Sequence, residues 1–166
     1  HRGTVQDKAV TKIGNDNLFM AYAHVAHDCI VGDSNVFANS AGIAGHVEVG
    51  SFVTIGGFSA VHQFCILGDY SFVGMNSSIT MDVPAYVKVA SNPARVIGLN
   101  SVGMSRNEIS SESISLIKKA YKLVYKKGYR LEDAVNKLVL LSKESDDKFL
   151  DAFIKSIQSS TRGILR

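Results

Sequence analysis

"IGNDNL FMAYAH VAHDCI VGDSNV FANSAG IAGHVE VGSFVT IGGFSA VHQFCI LGDYSF VGMNSS ITMDVP", residues 13 to 84 set out in sixes, decides the fold. The first position of all twelve sixes is bulky and apolar, from Ile13 through Phe37 and Ile55 to Ile79. The second is Gly or Ala except at Met20, His62 and Thr80, and the fifth never exceeds Val or Asn in size. Neither the 3.6-residue period of a helix nor the two-residue alternation of an ordinary strand generates this register. Short strands separated by tight turns do, three strands to a coil, each coil stacked on the last. Residues 13–84 therefore predict four 18-residue coils of a parallel β-solenoid, spaced at roughly 4.8 Å. Pro84 ends the period.

Beyond it, "PAYVKVASNPARVIG" (84–98) reads as a connector. Ser110 is placed to cap a helix carrying Ile114, Ile117, Ala120, Tyr121 and Val124 on one face and closing at Gly128. "LEDAVNKLVLLS" (131–142) and "DDKFLDAFIKSIQSS" (146–160) read as two further amphipathic helices. The expected architecture is mostly β: a solenoid with its connector over residues 1–97, followed by a small α-helical domain over residues 98–166.

Charge divides at the same place. Residues 1–97 carry 5 Lys and Arg against 7 Asp and Glu, and residues 98–166 carry 13 against 8, so the second region is basic and suits an acidic partner. No apolar run approaches the roughly 20 residues of a membrane span, and no signal peptide opens the chain, which favours the cytoplasm. We expect no transmembrane segment and no nucleic-acid partner. The first residue is His1 rather than Met, so the natural N-terminus is expected to lie further upstream.

Stacking turns sequence separation into geometry, because residues 18 apart share a column. His27 is followed in its column by Gly45 and Gln63, Asp28 by His46, and Gly57 by Met75. Four histidines, His24, His27, His46 and His62, fall on neighbouring coils. None of their separations is 18 or 36, so no two share a column and zinc is disfavoured; no metal is expected. Cys29 and Cys65 occupy fifth positions and read as small core residues two coils apart, too far for a disulfide. His27, by contrast, is the third residue of its six, a turn position whose side chain points outward. Asp28 beside it can orient the ring, and Gly45 leaves a bare backbone N–H one coil away. A base beside such an amide suits acyl transfer. An exposed surface histidine without function fits the same spacing.

"HRGT", "AHVAHDC", "AGHV", "GGFSAVHQFC", "ILGDYSFVG" and the tail "STRGILR" together resemble the hexapeptide-repeat acyltransferases, and among them the bacterial UDP-N-acetylglucosamine O-acyltransferases that begin lipid A synthesis. The likeness runs over essentially the whole chain. It implies a left-handed parallel β-helix, a hand that periodicity does not fix and that opposes the usual crossover rule. It implies transfer of a 3-hydroxyacyl chain from the thioester of acyl carrier protein to the 3-hydroxyl of UDP-N-acetylglucosamine, with no other cofactor. By the resemblance His27 is the general base, Asp28 its partner and Gly45 N–H the oxyanion donor. His24, His46, His62 and Gln63 line the substrate cleft, while Asn100 and Arg106 lie near the nucleotide and the donor's arm. The family's enzymes are homotrimers with clefts between subunits. Gly57 and Met75 match the ruler that ends the acyl groove, and Met75 in place of Gly implies a chain nearer 3-hydroxydecanoyl than 3-hydroxytetradecanoyl. In the family "HRGT" lies in mid-chain, so the coils before it, with an acidic and a basic residue that help hold the substrate, are not in this sequence. The competing expectations are the sister N-acyltransferase of the same pathway and a non-catalytic trimeric scaffold.

Overall fold

A computed structural model of the chain describes residues 1–5 and 9–166. Among them are twelve two-residue strands, each made of the sixth residue of one six and the first of the next, from Lys12–Ile13 to Ser78–Ile79. The first nine each pair in parallel with the strand 18 residues on: Lys12 with Ile30, Leu18 with Val36, His24 with Gly42. The result is a three-sided parallel β-solenoid whose first sheet begins at Lys12–Ile13, second at Leu18–Phe19 and third at His24–Val25.

First and fifth positions fill the narrow core, as their size predicts. Phe37, Ile55, Leu67 and Val73 among the first, and Cys29, Ala41, Val47, Val53 and Cys65 among the fifth, are fully buried. Ile13 and Phe19, in the first coil, stay half-exposed because a coil covers them on one side only among the described residues. Asn35 sits in the core through a polar ladder: it accepts the Val53 N–H at 2.7 Å and donates its own N–H to Asn17 Oδ1 at 2.8 Å. Both cysteines are free, and burial raises their thiol pKa values, that of Cys65 to about 11.

The fourth position carries a rule that the period does not reveal. From Asp16 to Asn76 all eleven fourth residues are non-glycine with φ between 54° and 64°, the left-handed region. Each costs roughly 1–2 kcal/mol relative to ordinary backbone. Stacking of rings along these columns offsets part of that cost: Phe52 on Tyr70 (4.7 Å, 6°), Tyr70 on Tyr86 (5.5 Å), and His46 on Phe64 (4.5 Å, 10°).

The connector is more ordered than its composition suggests. Val87–Ala90 extends the second sheet in parallel beside Phe72–Val73, then pairs antiparallel with Arg95–Leu99 in a hairpin. A short helix, α1 (Ser101–Arg106), follows and was not expected from the sequence. Helix α2 (Ser111–Tyr125) is capped by Ser110, whose hydroxyl accepts the Ser113 N–H, and buries Ile117, Ala120, Tyr121 and Val124. It packs with α3 (Leu131–Ser145) and α4 (Lys148–Gln158) as a three-helix bundle. Hydrogen bonds fasten the bundle and tail to the last coil. Ala85 N–H donates to Ser156 Oγ at 3.0 Å, and buried Asp82 accepts from Ile66 N–H at 2.7 Å and Ser160 Oγ at 2.6 Å. The Arg166 guanidinium donates to the Val124 and Tyr129 carbonyls and closes the end of α2. No helix is long and apolar enough to cross a membrane among the described residues.

Candidate functional site

His27 and Asp28 stand at the corner that joins the third sheet to the first. The alternation of an outward third residue with a left-handed fourth sends them in different directions. The His27 side chain is 43% exposed, and the Asp28 side chain is fully buried. They still meet, His27 Nδ1 lying 3.0 Å from Asp28 Oδ2. The carboxylate also accepts from the Thr4 hydroxyl at 2.7 Å and from the Thr4 N–H at 3.0 Å, while Asp28 N–H donates to Thr11 Oγ1 at 2.9 Å.

Burial pushes the Asp28 carboxyl up, but the Thr4 hydroxyl, the His27 ring, the Thr4 amide and the charge of nearby His46 outweigh it and hold the pKa at about 2. An ionised carboxylate only accepts. The proton on His27 therefore sits on Nδ1, and the Nε2 lone pair faces outward. A depressed pKa also has a sign for stability: the contribution of Asp28 is fully present above its ordinary value of 3.8 and is lost as pH falls through about 2. Asp28→Asn is expected to flatten this part of the acid profile. Melting curves of both proteins between about pH 5 and pH 2 check it, the wild type losing more over that window.

Gly45 lies against the His27 ring. A Cβ there would sit 2.6 Å from Cε1 and 2.8 Å from Nε2 of His27. Gly45 has no positive φ, so its glycine answers to this close approach and not to backbone conformation. Among the described residues its N–H has no acceptor, a state shared with other third positions. Third residues on the corner between the first and second sheets differ: Asn15 and Ser51 donate to Asp33 and Asp69, one coil on. What distinguishes the Gly45 amide is its place beside an imidazole.

His46 meets His27 edge-on, ring centroids 5.0 Å apart, with Phe64 stacked on its other side. Column arithmetic missed this pair. Residues 19 apart share no column, yet a third and a fourth residue on successive coils are diagonal neighbours across one corner. His62 and Gln63 continue the same corner and are exposed, His62 Nδ1–H donating to the Gln63 carbonyl at 3.1 Å. His24 lies on the adjoining third sheet.

The remaining expected residues are elsewhere on the chain. Gly57 and Met75 occupy the corner between the second and third sheets, and Met75 is 72% exposed. Asn100 caps α1, its Oδ1 accepting the Gly103 N–H at 3.0 Å and its Nδ2 donating to the Tyr70 carbonyl at 2.9 Å. With exposed Arg106 it lines a cavity of about 300 Å³ on the second sheet, together with Thr54, Phe72 and Lys88. Another cavity, of about 690 Å³, is bounded by His1, Arg2, Thr4 and His27. Thr4, Thr11 and Phe64 are the residues that sequence reasoning left without a role. Only the need of a buried carboxylate for donors pointed to the threonines.

Residues 82–165 match the family described as Udp N-acetylglucosamine O-acyltransferase, domain 2, and residues 11–45 match the bacterial transferase hexapeptide repeat. An acyl-[acyl-carrier-protein]–UDP-N-acetylglucosamine O-acyltransferase of Pseudomonas aeruginosa is 47% identical over the whole chain. The crystal structure of the UDP-N-acetylglucosamine O-acyltransferase of Moraxella catarrhalis superposes with TM-score 0.95 at 48% identity, covering all of this chain and 64% of that one. The acyltransferase of Francisella novicida gives TM-score 0.94 at 35% identity, covering 99% of this chain and 59% of its own. The chain spans 64% of the length of the curated relatives it matches. The family profile covers just over half of the chain and the solenoid carries the hexapeptide repeat, so the chain belongs to the UDP-N-acetylglucosamine O-acyltransferase family.

Proposed function

We propose that this chain carries the transfer of a 3-hydroxyacyl group from acyl carrier protein to the 3-hydroxyl of UDP-N-acetylglucosamine. The observation that carries the reading is the His27 imidazole, oriented at Nδ1 by buried Asp28 and open at Nε2 beside the Gly45 amide. His27 Nε2 takes the proton of the sugar hydroxyl as its oxygen attacks the thioester carbonyl. The carbonyl oxygen gains the negative charge, which the Gly45 N–H stabilises. Collapse of the tetrahedral intermediate breaks the carbon–sulfur bond, and the imidazolium returns its proton to the leaving thiolate. No acyl-enzyme is formed.

His27, the Gly57–Met75 corner and Arg106 lie on different corners and faces of one chain. Three copies standing side by side, with clefts between them, bring such faces together, and we assign the working state to a homotrimer in the cytoplasm. Exposed Arg106 suits the acidic carrier protein, and Asn100 positions the helix that presents it.

Met75 is expected to set the acyl length. Gly57 leaves its side of the groove open, whereas the Met75 side chain stands over it one coil on and closes the far end. Each methylene excluded forfeits roughly 0.8 kcal/mol of burial, so a clash of several selects strongly for a chain near 3-hydroxydecanoyl. Met75→Gly is expected to move the preference toward 3-hydroxytetradecanoyl, and rates with the two donors check it.

The test of the function is transfer from a mixture of 3-hydroxyacyl carrier proteins to UDP-N-acetylglucosamine, read by mass spectrometry on the full-length protein. One short acyl chain on the sugar 3-oxygen is the expected product. Acylation of an amino sugar at nitrogen assigns the chain to the sister reaction, and no product from an intact trimer leaves the scaffold reading.

A further inference from the structure

We propose that His27 and His46 together form a binding site for a divalent cation of the Zn²⁺ type, each ring giving one nitrogen, with Asp28 steadying the first. The ligand atoms of His27, Asp28 and His46 all lie within 4.8 Å of one another. Two imidazole nitrogens on tetrahedral zinc stand about 3.3 Å apart, a spacing within that limit and open to rotation of the half-exposed His27 ring.

Three features favour a cation here. The bond from Asp28 to His27 Nδ1, 3.0 Å long, makes a carboxylate–histidine pair of the kind that raises the basicity of a metal-bound imidazole and fixes its orientation. Stacking on Phe64 at 4.5 Å holds the plane of His46 at a set angle to its neighbour. Gly45 keeps the Nε2 edge of His27 open, where any Cβ would come within 2.8 Å of that nitrogen. Imidazole donors select zinc, cobalt and copper over magnesium or calcium, which take oxygen ligands.

Binding of the ion does not depend on the acyltransfer reading. Its consequence does: a cation on Nε2 occupies the lone pair that would accept the sugar proton, and the metal then acts as a reversible inhibitor.

Calorimetric titration of the chelator-treated protein with Zn²⁺ alone is expected to show one saturable site per chain, with no saturable heat from Mg²⁺. Co²⁺ in its place is expected to give the visible absorption of a nitrogen-ligated ion. His46→Ala should weaken zinc binding at least tenfold. Asp28→Asn, which leaves both ligands in place, should weaken it by about 10- to 100-fold. His24→Ala should change nothing, although the His24 and His1 rings also lie 5.1 Å apart. Thermal melting shows which variants are folded, and His46→Ala decides if Asp28→Asn is not. Absence of saturable binding overturns the proposal, as does wild-type affinity in His46→Ala or a loss of affinity in His24→Ala. In the transfer assay, inhibition is expected to track zinc occupancy. Full occupancy with undiminished transfer keeps the metal site and overturns the role of His27 as base.

Discussion

Replacing His27 by alanine is expected to lower acyl transfer by about 10²- to 10⁴-fold, the range spanned by positioned general bases. The sugar hydroxyl is a poor nucleophile until its proton leaves, and no other described group holds a lone pair in the same place. His46 is the nearest candidate, but its ring lies edge-on to His27 and its orientation is set by Phe64. The fold should survive the change, since the His27 side chain is 43% exposed and contributes little to the core. The measurement is kcat with the carrier-protein donor, beside a melting curve and the oligomeric state. A variant that keeps wild-type kcat removes the general-base assignment, and a variant that unfolds points to a structural role.

Gly45→Ala tests the same centre from the other side and should come near to that loss. The new Cβ would stand 2.6 Å from His27 Cε1, a distance no pair of carbons tolerates. Something must move, and the half-exposed ring moves more easily than a backbone whose flanking residues Ala44 and His46 donate hydrogen bonds to the coils on either side. A displacement of about 1 Å in a catalytic group costs on the order of 10²-fold in rate. Gly42→Ala is the control. Its Cβ would meet nothing closer than His24 Cβ at 3.8 Å, an ordinary contact, and transfer should be unchanged. If Gly45→Ala is as active as Gly42→Ala, the ring has room that the structure does not give it.

The solenoid was legible because its physics is repetitive. A residue such as Ile55 or Val73 meets the same narrow core at every third strand, so size and polarity recur with the geometry. The same regularity put His27, Gly45 and Gln63 in one column. Other features depend on contacts that no period encodes. The left-handed fourth positions are occupied by Tyr22, His46, Phe58 and Asn76 alike, and residues so different give no sign of a shared backbone state. Thr4 reaches Asp28 from outside the repeat, and the His27–His46 pair lies on a diagonal. The hairpin at Val87–Leu99 was hidden for another reason: its sequence reads as a Pro-containing linker, and pairing with the solenoid edge orders it. Helix α1 is a six-residue turn held by the Asn100 cap, too short to show a period.

The 18-residue register makes the molecule behave like a screw thread toward gain and loss of sequence. Loss of one six, such as residues 31–36, would turn everything after it by a third of a revolution and set Ser51, with its Cβ, on the His27 ring. Loss of a whole coil, residues 31–48, would restore every column and keep the core, yet Gln63 would then take the place of Gly45. Whole coils gained or lost after His46 would touch neither neighbour of His27, but would change how far the helical bundle stands from it. The architecture therefore accepts lengthening by complete turns, while the chemistry fixes one interval, the coil between His27 and Gly45, at a single length.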